Sequence, residues 1–249
     1  MINKKIAVVT GTSRGIGFSI AQNLSKKGWI VYGISRTLPS QKHLFKCIKA
    51  DILNVKQYKK LLDKIPNKVD LLINNAALGF SKKILEISED DYEQIFSLNL
   101  KSVVFFTQHI INNCMKNKGT IINISSIASL ESNQNDFLYS ASKTCLNKFV
   151  LTLAKEVKNI SVYGILPSLV ATKRTIKKYN LHKKNTLQLQ DVNKAIDVLL
   201  KQKYQSGTLL VVSRGKKPSI FGDTKYYRFL NPNNFIKPKF QINNLIWKK

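Results

Sequence analysis

Acid is what this sequence has least of. Its 249 residues hold 14 Asp and Glu against 41 Lys and Arg, a formal charge of +27 at pH 7. A strongly basic domain attracts phosphate through counterion release, but arginine stands only at 14, 36, 174, 214 and 228, and lysine is spread along the whole chain among Asn and Ile. That spread reads as a solvated surface, a compositional habit and not a dedicated polyanion face. Nucleic acid is therefore not the favoured partner. Cysteine is equally scarce: Cys47, Cys114 and Cys145 are odd in number, far apart and without metal-ligand spacing, which excludes a disulfide framework and fits a reducing cytoplasm. His43, His109 and His182 have no ligand spacing either, so no metal is expected. No apolar run approaches the roughly 20 residues that span a bilayer, and no signal peptide precedes the first strand, so a soluble protein is expected. Linkers, internal repeats and low-complexity tracts are also missing, and the length suits one large α/β domain with a buried sheet.

The chain is organised around Tyr139-Ser-Ala-Ser-Lys143, which puts a phenol and an ammonium one helical turn apart. A nearby lysine favours the phenolate and lowers a tyrosine pKa from its usual value of about 10, so Tyr139 is a candidate acid for a carbonyl oxygen. Alone, the spacing is also that of an ordinary solvated helix face.

Ile6–Thr10 is a β-branched apolar run, the pattern of a strand buried on both faces. It leads into Thr10-Gly-Thr-Ser-Arg-Gly-Ile-Gly17 and then a helix from Phe18 to Lys27, stopped by Gly28. In this strand, loop and helix context Gly11 permits a tight exit, Gly15 lets backbone approach a pyrophosphate, and Gly17 lets the helix pack close to the sheet. The helix N-terminus then faces anionic oxygens. The next strand, Trp29–Ser35, ends on Arg36 where NAD sites carry an acid for the ribose 2′-hydroxyl; with Arg14 nearby, a 2′-phosphate and hence NADP(H) is favoured.

Further strands are expected at Leu44–Ala50, ending at Asp51-Ile52, at Val69–Ile73, at Gly119–Ile124 and at Ile160–Leu166, with helices at Val55–Ile65, Asp90–Asn113 and Phe137–Val157. This alternation gives a doubly wound, Rossmann-like parallel sheet, whose ligands bind at the carboxyl ends of the strands. Asn74-Asn-Ala-Ala77 and Ser125-Ser126 emerge at such ends, and Asn99 lies inside the long helix.

Together these residues resemble the short-chain dehydrogenase/reductase family in its common form of about 250 residues. The resemblance covers roughly 1–215 and rests on Thr10-Gly-x-x-x-Gly-x-Gly17, Asp51, Asn74-Asn-Ala76, Asn99, Ser126 and Tyr139-x-x-x-Lys143, in family order and spacing. It implies a catalytic set in which Tyr139 is the proton donor in reduction and Ser126 holds the substrate carbonyl oxygen. Lys143 lowers the tyrosine pKa and binds the nicotinamide ribose, and Asn99 holds a water linking Lys143 to solvent. The cofactor contacts implied are Gly11, Ser13, Arg14, Gly15, Ile16, Gly17, Arg36, Asp51, Ile52, Asn75, Ala76, Tyr139, Lys143, Pro167, Val170 and Thr172. A homo-oligomer, dimer or tetramer, is implied as well.

Three departures stand out. Ala77 replaces a glycine near the cofactor, Pro167-Ser168 replaces Pro-Gly, and Ser206–Gly215 resembles the last strand without the usual Val-Asp-Gly-Gly, which puts subunit contacts through that strand in question. Residues 172–187 are the expected loop over the substrate. They carry Lys173, Arg174, Lys177, Lys178, His182, Lys183 and Lys184, a cluster able to steer an anionic or carrier-bound substrate or simply part of the lysine surplus. Residues 216–249 form a basic tail rich in aromatic rings, expected to pack on its own domain or a neighbouring subunit. The functional expectation is an NADPH-dependent carbonyl reductase or the reverse dehydrogenase, acting on a 3-oxoacyl carrier protein or on a sugar or other small ketone. A non-catalytic NADP(H)-binding regulator is the rival from another class; the complete set of Asn99, Ser126, Tyr139 and Lys143 argues against it.

Overall fold

In the computed structural model, residues 4–179, 186–202, 204–214 and 227–230 are described. His182, Lys183 and Lys184 of the expected substrate loop, and most of the 216–249 tail, lie outside them.

Strands β1 (Ile6–Thr10), β2 (Ile30–Ser35), β3 (Lys46–Lys49), β4 (Val69–Asn74), β5 (Met115–Ile124), β6 (Ser161–Pro167), β7 (Leu209–Val212) and β8 (Tyr227–Leu230) form one sheet in the order β3-β2-β1-β4-β5-β6-β7-β8. Every pairing is parallel. All five residues of β1 are buried, in keeping with its apolar run Ile6–Val9 before Thr10. Its side chains divide by alternation: Ala7 and Val9 join one core, Ile6 and Val8 the other. Each fully buried valine or leucine contributes on the order of 1.5–3 kcal/mol.

Helices cover both faces. On one side α1 (Gly15–Lys26) and α7 (Leu189–Lys201) insert Ile20, Leu24, Val192 and Ile196. On the other, α2 (Tyr58–Leu62), α4 (Ser102–Asn113) and α5 (Phe137–Glu156) supply Tyr58, Phe106, Ile110 and Val150. The strand order reverses between β1 and β4, so the crevice outside their carboxyl ends is where the doubly wound sheet offers a ligand site. No described helix is long and apolar enough to cross a membrane.

The helix expected at 90–113 is three pieces: α3 (Glu89–Phe96), a π-helical turn over Ser97–Lys101, and α4. Such insertions concentrate at functional sites, and this one contains the fully buried Asn99. Ser88 caps α3 in a reciprocal capping box with Asp91. Helix α7 was not among the sequence expectations, although its Val192, Ala195, Ile196 and Leu199 share one buried face. Asp191 in its first turn is buried and paired with Arg214, which stands just after β7 where the family's Val-Asp-Gly-Gly is missing. Residues 227–230 of the tail enter the sheet beside β7 through backbone pairing.

Candidate active site

Because every strand runs the same way, the segments after β1, β2, β3, β4, β5 and β6 emerge along one edge of the sheet, and the sequence-predicted residues emerge with them. After β1, Gly11 has φ +74 and lies where a Cβ would meet the Cα of Ala76 at 2.8 Å. Asn75 stitches the two sides of the switch point. Its Nδ2 donates to the Thr10 carbonyl at 2.9 Å, and the N–H groups of Asn75 and Ala76 both donate to Thr10 Oγ1, at 3.0 and 3.1 Å. The crevice is thereby set before any ligand arrives.

Helix α1 begins at Gly15 with no acidic residue in its first turn and no side-chain cap from Arg14. Its first N–H groups therefore remain suited to an anion. Gly15 also faces Thr172 across the cleft, where a Cβ would stand 3.8 Å from the Thr172 methyl. Arg14 and Arg36 are exposed at this edge, and among the described residues neither forms a salt bridge. Asp51 turns its carboxylate onto the Leu53 N–H at 3.0 Å, and the buried Tyr58 hydroxyl donates to the Ile52 carbonyl at 2.5 Å. Burial first, and the Asp51 charge second, push the Tyr58 phenol up to about 12. These features fit a dinucleotide: a cradle that side chains would fill, an open helix N-terminus, and two exposed guanidinium groups that form no salt bridge among the described residues.

The two substituted turn positions are accommodated without strain. Ala77 is exposed and has no positive φ, so its methyl points into space. Pro167 closes β6, and the Ser168 N–H donates to Val212 on β7 at 2.8 Å. Val170 pairs with Leu187 as an isolated bridge, tying together the base of the 172–187 loop, and Thr172 caps α6 (Lys173–Tyr179) by exchanging bonds with Thr175.

The chemical end of the crevice is built by α5, β5 and the π-helical turn. Lys143 is buried, and its Nζ donates to the carbonyl of Ile124 at 2.9 Å. Ile124 ends β5, two residues before Ser126. The same Nζ lies 5.8 Å from the centre of the half-buried Tyr139 ring. Desolvation lowers the Lys143 pKa from 10.5 to about 8. Ser126 starts a short 3-10 turn and its Oγ accepts from the Ala128 N–H at 3.2 Å, a bond that leaves the hydroxyl hydrogen unspent. Asn99 reaches in two directions. Its amide exchanges two bonds with the backbone of Leu78, each 2.8 Å, and its Nδ2 also donates to Ser142 Oγ at 3.0 Å. Ser142 in turn donates to the Tyr139 carbonyl at 2.7 Å.

Tyr139, Lys143 and Asn99 are thus joined, and Ser126 leaves the strand end that holds the lysine. Thr10, Ser142 and Gly79 were given no role from the sequence. Thr10 carried the one available signal, as the residue preceding the first glycine; Ser142 is merely a small residue three after the tyrosine.

A family model described as short chain dehydrogenase matches residues 5–182. The chain belongs to the short chain dehydrogenase family. It is 32% identical over 238 residues to the 3-oxoacyl-[acyl-carrier-protein] reductase of Buchnera aphidicola subsp. Acyrthosiphon pisum, covering 86% of this chain and 98% of that protein. It is 33% identical over 188 residues to the 2-dehydro-3-deoxy-D-gluconate 5-dehydrogenase of Escherichia coli, covering 69% and 74%. The crystal structure of the 3-oxoacyl-[acyl-carrier protein] reductase from Brucella melitensis shares the fold with a TM-score of 0.75 at 24% identity, over 85% of this chain and 96% of that one. This short chain dehydrogenase is accordingly an oxidoreductase acting on a CH–OH or C=O group.

Proposed function

We propose that the chain is an NADPH-dependent reductase of 3-oxoacyl groups held as thioesters on an acidic carrier, acting in the cytoplasm as a homo-oligomer. The observation that carries the chemistry is Lys143, buried one turn from Tyr139 and fixed to the end of β5. NADPH, when bound, supplies the hydride, and every other requirement falls to this chain. The glycine turn and the α1 N-terminus would hold the pyrophosphate, Arg36 and Arg14 the 2′-phosphate, and Thr172, Pro167 and Val170 the nicotinamide end. Tyr139 gives its phenolic proton to the substrate oxygen. Ser126 donates its unspent hydroxyl hydrogen to the same oxygen and stabilises the charge that develops there. Lys143, as the ammonium, favours the phenolate left behind and binds the ribose.

Asn99 acts first as a positioning residue, since both of its N–H groups are spent on Leu78 and Ser142. A reprotonating water there would be held by the remaining lone pair of Oδ1 or by the backbone carbonyl in the π-helical turn.

The carrier-bound substrate is supported by likeness to the Buchnera reductase over nearly its whole length. Exposed Lys173 at the mouth offers charge to an acidic carrier. Likeness to the gluconate dehydrogenase supports a second reading, a keto sugar acid. NADPH consumption measured over acyl thioesters, keto sugars and simple ketones separates them. A thioester preference is expected; turnover confined to sugar acids would replace the first reading with the second.

A further inference from the structure

Arg174 reaches across the mouth of the crevice from the first turn of α6 and donates through Nη2 to the carbonyl of Gly79. Gly79 is the residue packed on the catalytic ring: a Cβ there would meet Tyr139 Cδ2 at 2.8 Å. Gly79 thus contacts both groups, taking the guanidinium on its carbonyl and lying with its Cα against the phenol ring. The loop that carries Gly79 is held from below by the two bonds between Asn99 and Leu78, so the carbonyl that orients Arg174 is itself fixed. A guanidinium has five N–H donors and no acceptor. Arg174 is exposed, and among the described residues its one recorded bond is to Gly79 and no carboxylate pairs with it. A guanidinium with unspent donors thus shares Gly79 with the ring of the proton donor.

We infer that Arg174 determines substrate specificity by gripping an oxygen acceptor carried within two or three bonds of the reacting ketone. This rests on the reductase reading above and deepens it. In a 3-oxoacyl thioester that acceptor is the thioester carbonyl, two carbons from the ketone; in a free 3-oxo acid it is the carboxylate. The shared chemistry is a second carbonyl oxygen, and Arg174 reads its presence while Tyr139 and Ser126 handle the first. Distant anionic groups of a carrier are left to the lysines of the surface. Planar, bidentate donation distinguishes arginine from lysine for this task.

The test compares wild type, Arg174→Gln and Arg174→Lys on three ketones: S-(3-oxobutyryl)-N-acetylcysteamine, acetoacetate and 2-pentanone, which lacks the second oxygen. Arg174→Gln is expected to lose about 10- to 100-fold in kcat/KM on the thioester, chiefly through KM, and no more than about two- to threefold on 2-pentanone. Arg174→Lys should recover part of the loss. A larger loss on acetoacetate than on the thioester assigns the grip to a carboxylate, the reverse to a neutral carbonyl. Equal losses on all three ketones would make Arg174 a strut for the Gly79 loop and overturn the inference. Calorimetric titration with acetoacetate covers the case in which no ketone is reduced. Binding lost in Arg174→Gln would then uphold the Arg174 contact while the reductase reading fails, and unchanged binding would overturn both.

Discussion

Gly79 lies against the Tyr139 ring so closely that a Cβ would come within 2.8 Å of Cδ2 and 3.1 Å of Cε2. The loop cannot retreat easily, because Asn99 holds its neighbour Leu78 by both backbone groups. The ring must therefore give way when a methyl group is added, and overpacking of this kind costs about 1–3 kcal/mol. Gly79→Ala is expected to lower kcat by about tenfold or more, since displacing a proton donor by an ångström is expensive in rate. The dissociation constant for NADPH, whose phosphate cradle lies elsewhere, should stay within about twofold. Unchanged kcat, or an equal loss of cofactor affinity, would show that this contact does not aim the phenol.

Cofactor choice is the second prediction. Arg36 follows β2 with its side chain in solvent and no described salt-bridge partner, and no acid stands there to accept a ribose hydroxyl. A charge-assisted bond to the 2′-phosphate contributes about 1.5–3 kcal/mol, so NADPH should bind at least about tenfold tighter than NADH. Arg36→Ala should remove most of that preference by weakening NADPH alone. Equal affinities in the wild type would refute the assignment.

Much of this arrangement was legible before any coordinates. The run at 6–10 reads as a doubly buried strand because its β-branched and small apolar residues fill both faces of a central sheet, and 69–73 reads as a further strand. The glycine turn was legible because Gly11 has both a left-handed φ and a neighbour at contact distance. The break at Ser97–Lys101 was not, since Ser-Leu-Asn-Leu-Lys has nothing in it that a regular helix refuses. Helix α7 carries a readable signal in the helical spacing of Val192, Ala195, Ile196 and Leu199, although it was not among the expectations. The roles of Gly79 and Ser142 depend on what faces them across the fold, Tyr139 in one case and Asn99 in the other. No local pattern records that.

The eighth strand yields the third prediction. Tyr227–Leu230 pairs in parallel with β7, matching Leu209 to Tyr227 and Val212 to Leu230. Without it, β7 would present a row of unpaired backbone groups at the edge of a very apolar strand, and exposed edges of that kind template association. Removal of residues 216–249 is expected to lower Tm by several degrees and to raise self-association at equal concentration, with NADPH affinity little changed. Calorimetry and sedimentation of the truncated chain check this. An unaltered Tm and mass would mean that the pairing adds nothing to the sheet.

The fourth prediction follows from Lys143. Burial brings its pKa from 10.5 down to about 8. Between those values the unfolded chain binds the proton that the folded one releases, so the penalty for burying Lys143 is full below about 8 and is relieved as pH rises toward 10.5. The Tm deficit of the wild-type apoenzyme relative to Lys143→Met should therefore shrink across that window. Activity should move in the opposite sense: kcat/KM for reduction falls as pH rises through about 8, because the free enzyme then loses the ammonium that favours the phenolate. Tyr139→Phe isolates the proton donor. It keeps the ring that packs on Gly79, so fold and NADPH binding should survive, while turnover drops by about 10²–10⁴-fold. Lys143→Ala should differ by weakening NADPH binding as well, since the proposed mechanism gives the same ammonium the ribose. If Tyr139→Phe retained more than about a tenth of wild-type turnover under conditions where chemistry limits the rate, the phenol would not be the acid, and the buried ammonium beside it would need another purpose.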